Sequence, residues 1–169
     1  MPETIKTRTP EGEKATEAIL STFRANGLLL AAGDLLAAEH GLTSARWQVL
    51  GAIALAQRPL TVPQIARRMG LTRQSVHTTV NRLLADGLVE LVPNADHRRS
   101  QLVRLTELGE ARYAALDGKQ AAWVNELAAG LRLSELETTA RVLGELSARL
   151  EAGSRTQPQR ARGEDRHAG

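Results

Sequence analysis

Apolar positions along this chain keep a helical period at both ends and change rhythm once, near the middle. Residues Glu13 to Glu39 are helix-prone and rich in Leu and Ala, with Gly41 following. From Thr43 a capped segment sets Trp47, Leu50, Ile53 and Ala54 on one face. Thr61-Val-Pro-Gln then predicts a new helix: a hydroxyl N-cap, Pro63 in the first turn, and Gln64 at the capping-box position. That helix buries Ile65, Ala66 and Met69, turns Arg67 and Arg68 outward, and ends at Gly70. Thr72 caps the next helix after a turn of about three residues, the connection of a helix-turn-helix.

In this second helix Val76, Val80, Leu83 and Leu84 form the inward stripe. The opposite stripe is polar throughout: Arg73, Gln74, His77, Thr78, Asn81 and Arg82, with Thr72 and Ser75 at its start. Arg can fork onto guanine, Gln or Asn can pair with adenine, and a Thr methyl can touch thymine. A solvated helix face has the same composition, so the stripe alone decides nothing. Its surroundings decide in favour of DNA. Gly87 closes the helix, and the period then drops to that of strands over Leu88–Val92 and Gln101–Leu105, which can pair as a hairpin. Pro93-Asn94-Ala95-Asp96 breaks the first strand, and the tip carries His97, Arg98, Arg99 and Ser100. Thr106 caps a long helical stretch, and Ser134-Glu-Leu-Glu137 predicts a second capping box. The last helix carries Leu136, Ala140, Leu143, Leu146 and Leu150.

Helix, short turn, helix, basic hairpin and new helix, with Asp96 and Arg98 as D-x-R and Thr106 and Gly109 as T-x-x-G, resemble the MarR family of winged-helix transcriptional regulators. The fold class expected is mainly α with a small β-hairpin wing: a winged helix-turn-helix framed by N- and C-terminal dimerisation helices. The corresponding division is a mobile N-terminus over 1–12, an N-terminal dimerisation helix over 13–42, the DNA-binding module over 43–105, C-terminal dimerisation helices over 106–152 and a disordered basic tail over 153–169. The resemblance implies that Asp96 braces the wing while Arg98 approaches DNA, with Arg99 either a second contact or solvated. It also implies a homodimer on a palindromic operator, with half-sites roughly 34 to 36 Å apart. Leu136, Leu143, Leu146 and Leu150 supply the stripe such an interface requires; the alternative is an intramolecular bundle.

Charge is distributed in the same sense. Between Thr61 and Leu105, Arg67, Arg68, Arg73, Arg82, Arg98, Arg99 and Arg104 outnumber Asp86, Glu90 and Asp96 by four, whereas the whole chain is only +3. A localised basic face is the footprint of a polyanion partner. The absence of cysteine excludes disulfides and thiol-based sensing. His40, His77, His97 and His167 have no metal-ligand spacing, so no metal and no cofactor is expected. Without a Gly-rich phosphate loop or nucleophile motif, the chain does not read as an enzyme.

The longest apolar stretch reads as too short and too interrupted to span a bilayer, and no signal peptide is evident, so a cytoplasmic, nucleoid-associated protein is expected. Gly27, Gly33 and Asp34 do the interrupting. A kink or a close helix approach accounts for the glycines; Asp34 either pairs with an arginine, reaches the surface or serves a ligand. The family further implies a small aromatic or anionic effector, including coenzyme A thioesters, that releases a repressor from its operator. His40, Arg46 and Trp47 are the candidate effector residues, against a plain core role for Trp47, and Phe23 and Tyr113 follow them. With four aromatic residues in the chain, such a pocket should be mainly aliphatic. An effector-independent DNA-binding or architectural protein is the alternative.

Overall fold

The computed structural model describes residues 7–97 and 99–156. Their elements are α1 (Pro10–Ala38), α2 (Ser44–Ala54), α3 (Val62–Met69), α4 (Arg73–Ala85), β1 (Val89–Val92), β2 (Leu102–Leu105), α5 (Glu107–Ala128) and α6 (Leu133–Thr156). The chain divides into two compact units, one running to Trp123 and one from Val124. It is mainly α with a two-stranded antiparallel hairpin, the architecture of a winged helix-turn-helix.

The core of the first unit lies around α2, which packs on α1, α3, α4 and β2. Val49, Leu50, Leu60, Ile65, Val76, Leu83, Val103 and Leu116 are fully enclosed. Local signals set the helix starts. Thr61 and Gln64 form a reciprocal capping box at α3, and Thr72 Oγ1 accepts the Ser75 N–H at 3.1 Å to open α4. Gly70, at φ 63°, ends α3 in the left-handed conformation that only a residue without Cβ adopts cheaply. In the hairpin, Val89 pairs with Leu105 and Val92 with Leu102. Leu60 adds a bridge to Val103, through N–H···O bonds of 3.1 and 2.7 Å, that tethers the chain before α3 to the sheet.

Several boundaries differ from the periodic reading. Thr9 caps α1 by accepting the Gly12 N–H, so residues 9–12 are a cap and first turn rather than part of a mobile end. Pro10 and Glu11 suit that first turn, a signal carried by identity and not by period. At the other end α6 continues to Thr156, and 157–169, most of the predicted tail, lie outside the described residues, as do 1–6. The Ser134 capping box is displaced. Helix α6 already begins at Leu133, and Glu135 reaches back to accept the Arg132 N–H at 3.2 Å and also pairs with the Arg132 guanidinium. Ser134 therefore sits within the first turn.

The two glycines of α1 separate in role. A Cβ on Gly33 would meet Ser44 Oγ at 2.9 Å, so its absence lets α1 and α2 approach closely, whereas Gly27 faces open space. Asp34 neither pairs with arginine nor stands idle: Asp34 Oδ1 accepts the Ser44 N–H at 2.6 Å and satisfies a free amide at the start of α2. Helix α1 is also more apolar than its interruptions suggest. By length and composition it could cross a bilayer, at mean hydropathy 1.2 over 18 residues. Its Leu20, Phe23, Leu28 and Leu35 are more than 60 % exposed. Helix α6 in the second unit likewise exposes Leu133 and Leu150.

Candidate nucleic-acid interface and adjoining cavity

The candidate reading surface is built on α4. Val76, Val80 and Leu83 fix its inner face in the core, which leaves Arg73, Gln74, Ser75, His77, Thr78, Asn81 and Arg82 exposed together on the outer side. Within that row Thr78 and Thr79 hydroxyls donate to the Gln74 and Ser75 carbonyls, and Asn81 Nδ2 lies 3.3 Å from His77 Nδ1. Thr72 is occupied as the N-cap, so its hydroxyl orders the first turn.

Pairing sorts the arginines in a way charge counting does not. Arg104 is clamped across the hairpin by Glu90, at 2.7 and 2.9 Å, and Arg46 is held by Asp86 at 2.7 Å. Among the described residues no acid or carbonyl engages the guanidinium of Arg67, Arg68, Arg73, Arg82 or Arg99. Free guanidinium groups on one small module are what phosphate binding requires.

The wing is organised by residues of two kinds. Asn94 spans its loop: Nδ2 donates to the Ser100 carbonyl at 2.9 Å while Oδ1 accepts the Asp96 N–H at 3.1 Å. Asn94 thus holds the described part of the wing loop together, beside the Asp96 whose backbone it engages. Asn94 reads from sequence only as a strand breaker, yet the capacity of Asn to bond backbone two residues on is its general signal. Arg98 lies outside the described residues, and Arg99 is exposed.

The T-x-x-G end has a clear mechanical basis. Thr106 Oγ1 donates to the Gly87 carbonyl at 2.7 Å and accepts the Gly109 N–H at 3.1 Å, while Thr106 N–H bonds Leu88 O. One hydroxyl thus joins the end of α4 to the start of α5. A Cβ on Gly109 would stand 2.0 Å from Leu88 O, so only glycine fits there.

The three candidate effector residues are not brought together. Trp47 is half-buried, packs on the core and also lines a cavity of about 460 Å³ walled by α1, α2 and α5 with Met69 of α3. His40 and Arg46 are absent from that wall. Arg46 instead bonds the Gly41 carbonyl and Asp86, the C-cap of α4. His40 offers its carbonyl to Arg112 Nη1 at 2.6 Å, and its buried Nε2 has no partner among the described residues. Sequence proximity placed three side chains in one site; the α2 helix turns consecutive residues 46 and 47 to different neighbours. Tyr113 and Trp123 line the cavity as well, and Phe23 does not. Three of the four aromatic side chains therefore meet there, against the aliphatic pocket expected. The Tyr113 hydroxyl donates to Asp117 Oδ1 at 3.4 Å, and burial, with that carboxylate, pushes its pKa above the ordinary tyrosine value.

Comparison with known proteins gives these elements a lineage. The MarR family model matches residues 40–100, from the turn after α1 to the tip of the wing, ahead of β2. An uncharacterised protein of Mycobacterium tuberculosis is 41% identical over 121 residues, spanning 72% of this chain and 83% of that protein. The transcriptional activatory protein BadR of Rhodopseudomonas palustris is 31% identical over 102 residues, 57% of each chain. The crystal structure of the M. tuberculosis transcriptional regulator MosR in complex with DNA superposes with a TM-score of 0.66 at 25% identity, covering 80% of this chain and 96% of that one. On its module, its wing and these likenesses, the chain belongs to the MarR family of winged-helix transcription regulators.

Proposed function

We propose that the chain acts as a homodimer on a palindromic operator and represses transcription until a small molecule fills the cavity beside Trp47. The observation that carries the DNA part is the set of guanidinium groups around α4 that are unpaired among the described residues, since Arg73 and Arg82 have no partner there whereas Arg46 and Arg104 are held by Asp86 and Glu90. Arg73, Gln74, His77 and Thr78 are assigned to base edges or adjacent phosphates, and Arg98 and Arg99 to the flanking backbone or minor groove. The homodimer is supported by apolar side chains left exposed on the described chain: Leu20, Phe23 and Leu35 on α1, and Leu136 and Leu143 on α6. Leu146 is half-buried beside them in sequence. This is work for the compartment that holds the chromosome.

The cavity has a physical route to the reading helix. Trp47 forms part of its wall, and the neighbouring Arg46 grips Asp86 at the end of α4. A ligand that prefers the arrangement unable to span both half-sites by a few kcal/mol releases the operator. BadR is an activatory protein, so the sign of regulation depends on where the operator lies relative to the promoter.

The test is a gel shift of purified protein on the DNA upstream of its own gene, with and without small aromatic ligands, beside sedimentation of the free protein. Specific retention by a dimer, relieved by a ligand, is the expected result. Retention that no ligand relieves would leave an effector-independent DNA binder, and the absence of specific retention would move the target elsewhere.

A further inference from the structure

We propose that the cavity beside Trp47 selects an organic cation with an aromatic or apolar body, and not an anion. The proposal rests on the reading of this cavity as the effector site and adds the charge of its ligand.

Three observations carry it. Among the described residues, the single ionisable side chain on the wall apart from Tyr113 is Asp117, a carboxylate, and no Arg, Lys or His lines the cavity. Of the cations next in sequence to wall residues, Arg68 is exposed beside Met69 and is not part of the wall, and the other three are committed elsewhere. Arg46 is bound to Asp86, Arg112 to the His40 carbonyl, and Lys119 to Glu39, which with Lys119 borders a separate groove. An anion would therefore leave water for a site with no positive partner and one negative neighbour, a loss that neutral amides such as Gln48 and Gln120 do not offset.

The aromatic content points the same way. Trp47, Tyr113 and Trp123 share the wall, and ring faces carry the negative end of a quadrupole that attracts ammonium and guanidinium groups. Tyr113 donates its hydroxyl proton to Asp117, which leaves the second carboxylate oxygen as an acceptor for a charged donor. Gly51 contributes to the recess, for a Cβ there would come within 3.3 Å of the Tyr113 ring.

The two tryptophans of the chain both line the cavity, so intrinsic fluorescence reports occupancy directly. The full-length protein is titrated with 2-phenylethylammonium, 2-phenylethanol and phenylacetate, three probes of similar size that are positive, neutral and negative at pH 7. The cation is expected to bind about three- to tenfold tighter than the alcohol, and phenylacetate weakest. Asp117→Asn should bring the cation down to the alcohol, and Asp117→Glu should restore the preference. Circular dichroism and gel shift on the same samples establish that each variant is folded and still retains DNA.

Tightest binding of phenylacetate, or a cation preference untouched by Asp117→Asn, would overturn the proposal while the regulator reading stands. Failure of all three probes to perturb the tryptophans would remove the cavity as a site for this ligand class. Loss of specific DNA retention by the unmodified protein would instead defeat the underlying regulator reading.

Discussion

The reading module and the helices that frame it satisfy their side chains in opposite ways. Around α2, α3, α4 and the hairpin, most apolar residues are enclosed, with Leu55 and Leu91 the exposed exceptions, and the starts of all three helices are capped. Along α1, α5 and α6 large apolar residues stand in the open: Leu28, Leu35, Leu127 and Leu133 are all more than half exposed. What the module leaves uncommitted is charge, in Arg67, Arg68, Arg73, Arg82 and Arg99. What the framing helices leave uncommitted is hydrocarbon. An unmatched guanidinium persists in water at little cost, whereas an unmatched leucine surface drives association. The module is finished as a fold and leaves charge exposed, and the framing helices leave apolar surface exposed on the described chain.

This contrast can be broken most severely at Gly109. Replacing it with Ala puts a methyl group 2.0 Å from Leu88 O, where α4, the hairpin and α5 are joined. A loss of about 3 kcal/mol or more is expected, read from the urea midpoint, and an unchanged midpoint would mean that the junction opens without strain.

The framing helices are tested at Leu143, which is 38% exposed and outside the core. Leu143→Lys should shift the protein from dimer to monomer in sedimentation at micromolar concentration while the module keeps its circular dichroism. A dimer that survives would relocate the interface, and collapse of the module as well would show that the two regions fold as one.

The finest test falls on the charge left free. Arg73→Ala and Gln74→Ala should leave stability unchanged, since neither side chain has a partner within the described residues. Each should lower discrimination between operator and random DNA by about 1 to 3 kcal/mol for every base edge that is no longer read. Equal weakening on both DNAs would assign these side chains to phosphate.

The course of the helices through the module was legible because its signals are local. Thr61 with Gln64, Thr72, Gly70 and the alternation into the hairpin each act within a few residues. The same reasoning fell short at Ser134, where two overlapping candidates for a first turn, Arg132 with Glu135 and Ser134 with Glu137, differ by only two residues. It also fell short at Leu60, whose bridge to Val103 joins residues far apart in sequence through one backbone pair. A single residue has no period to detect.

By itself the sequence determined the element types, the caps of α2, α3 and α4, the polar row on α4 and the excess of arginine in the module, because each follows from neighbours within a turn or from composition. Only the tertiary structure decided which charges remain free, since Arg46 finds Asp86 and Lys119 finds Glu39 through contacts that no local spacing encodes. It likewise decided that Asp34 serves the first amide of α2, that Gly33 and Gly109 are sites of close approach, and that Trp47 shares a wall with Tyr113 and Trp123 while His40 and Arg46 do not. Partners of this kind are chosen by how helices cross and where loops return, and those geometries exist only once the whole core is packed.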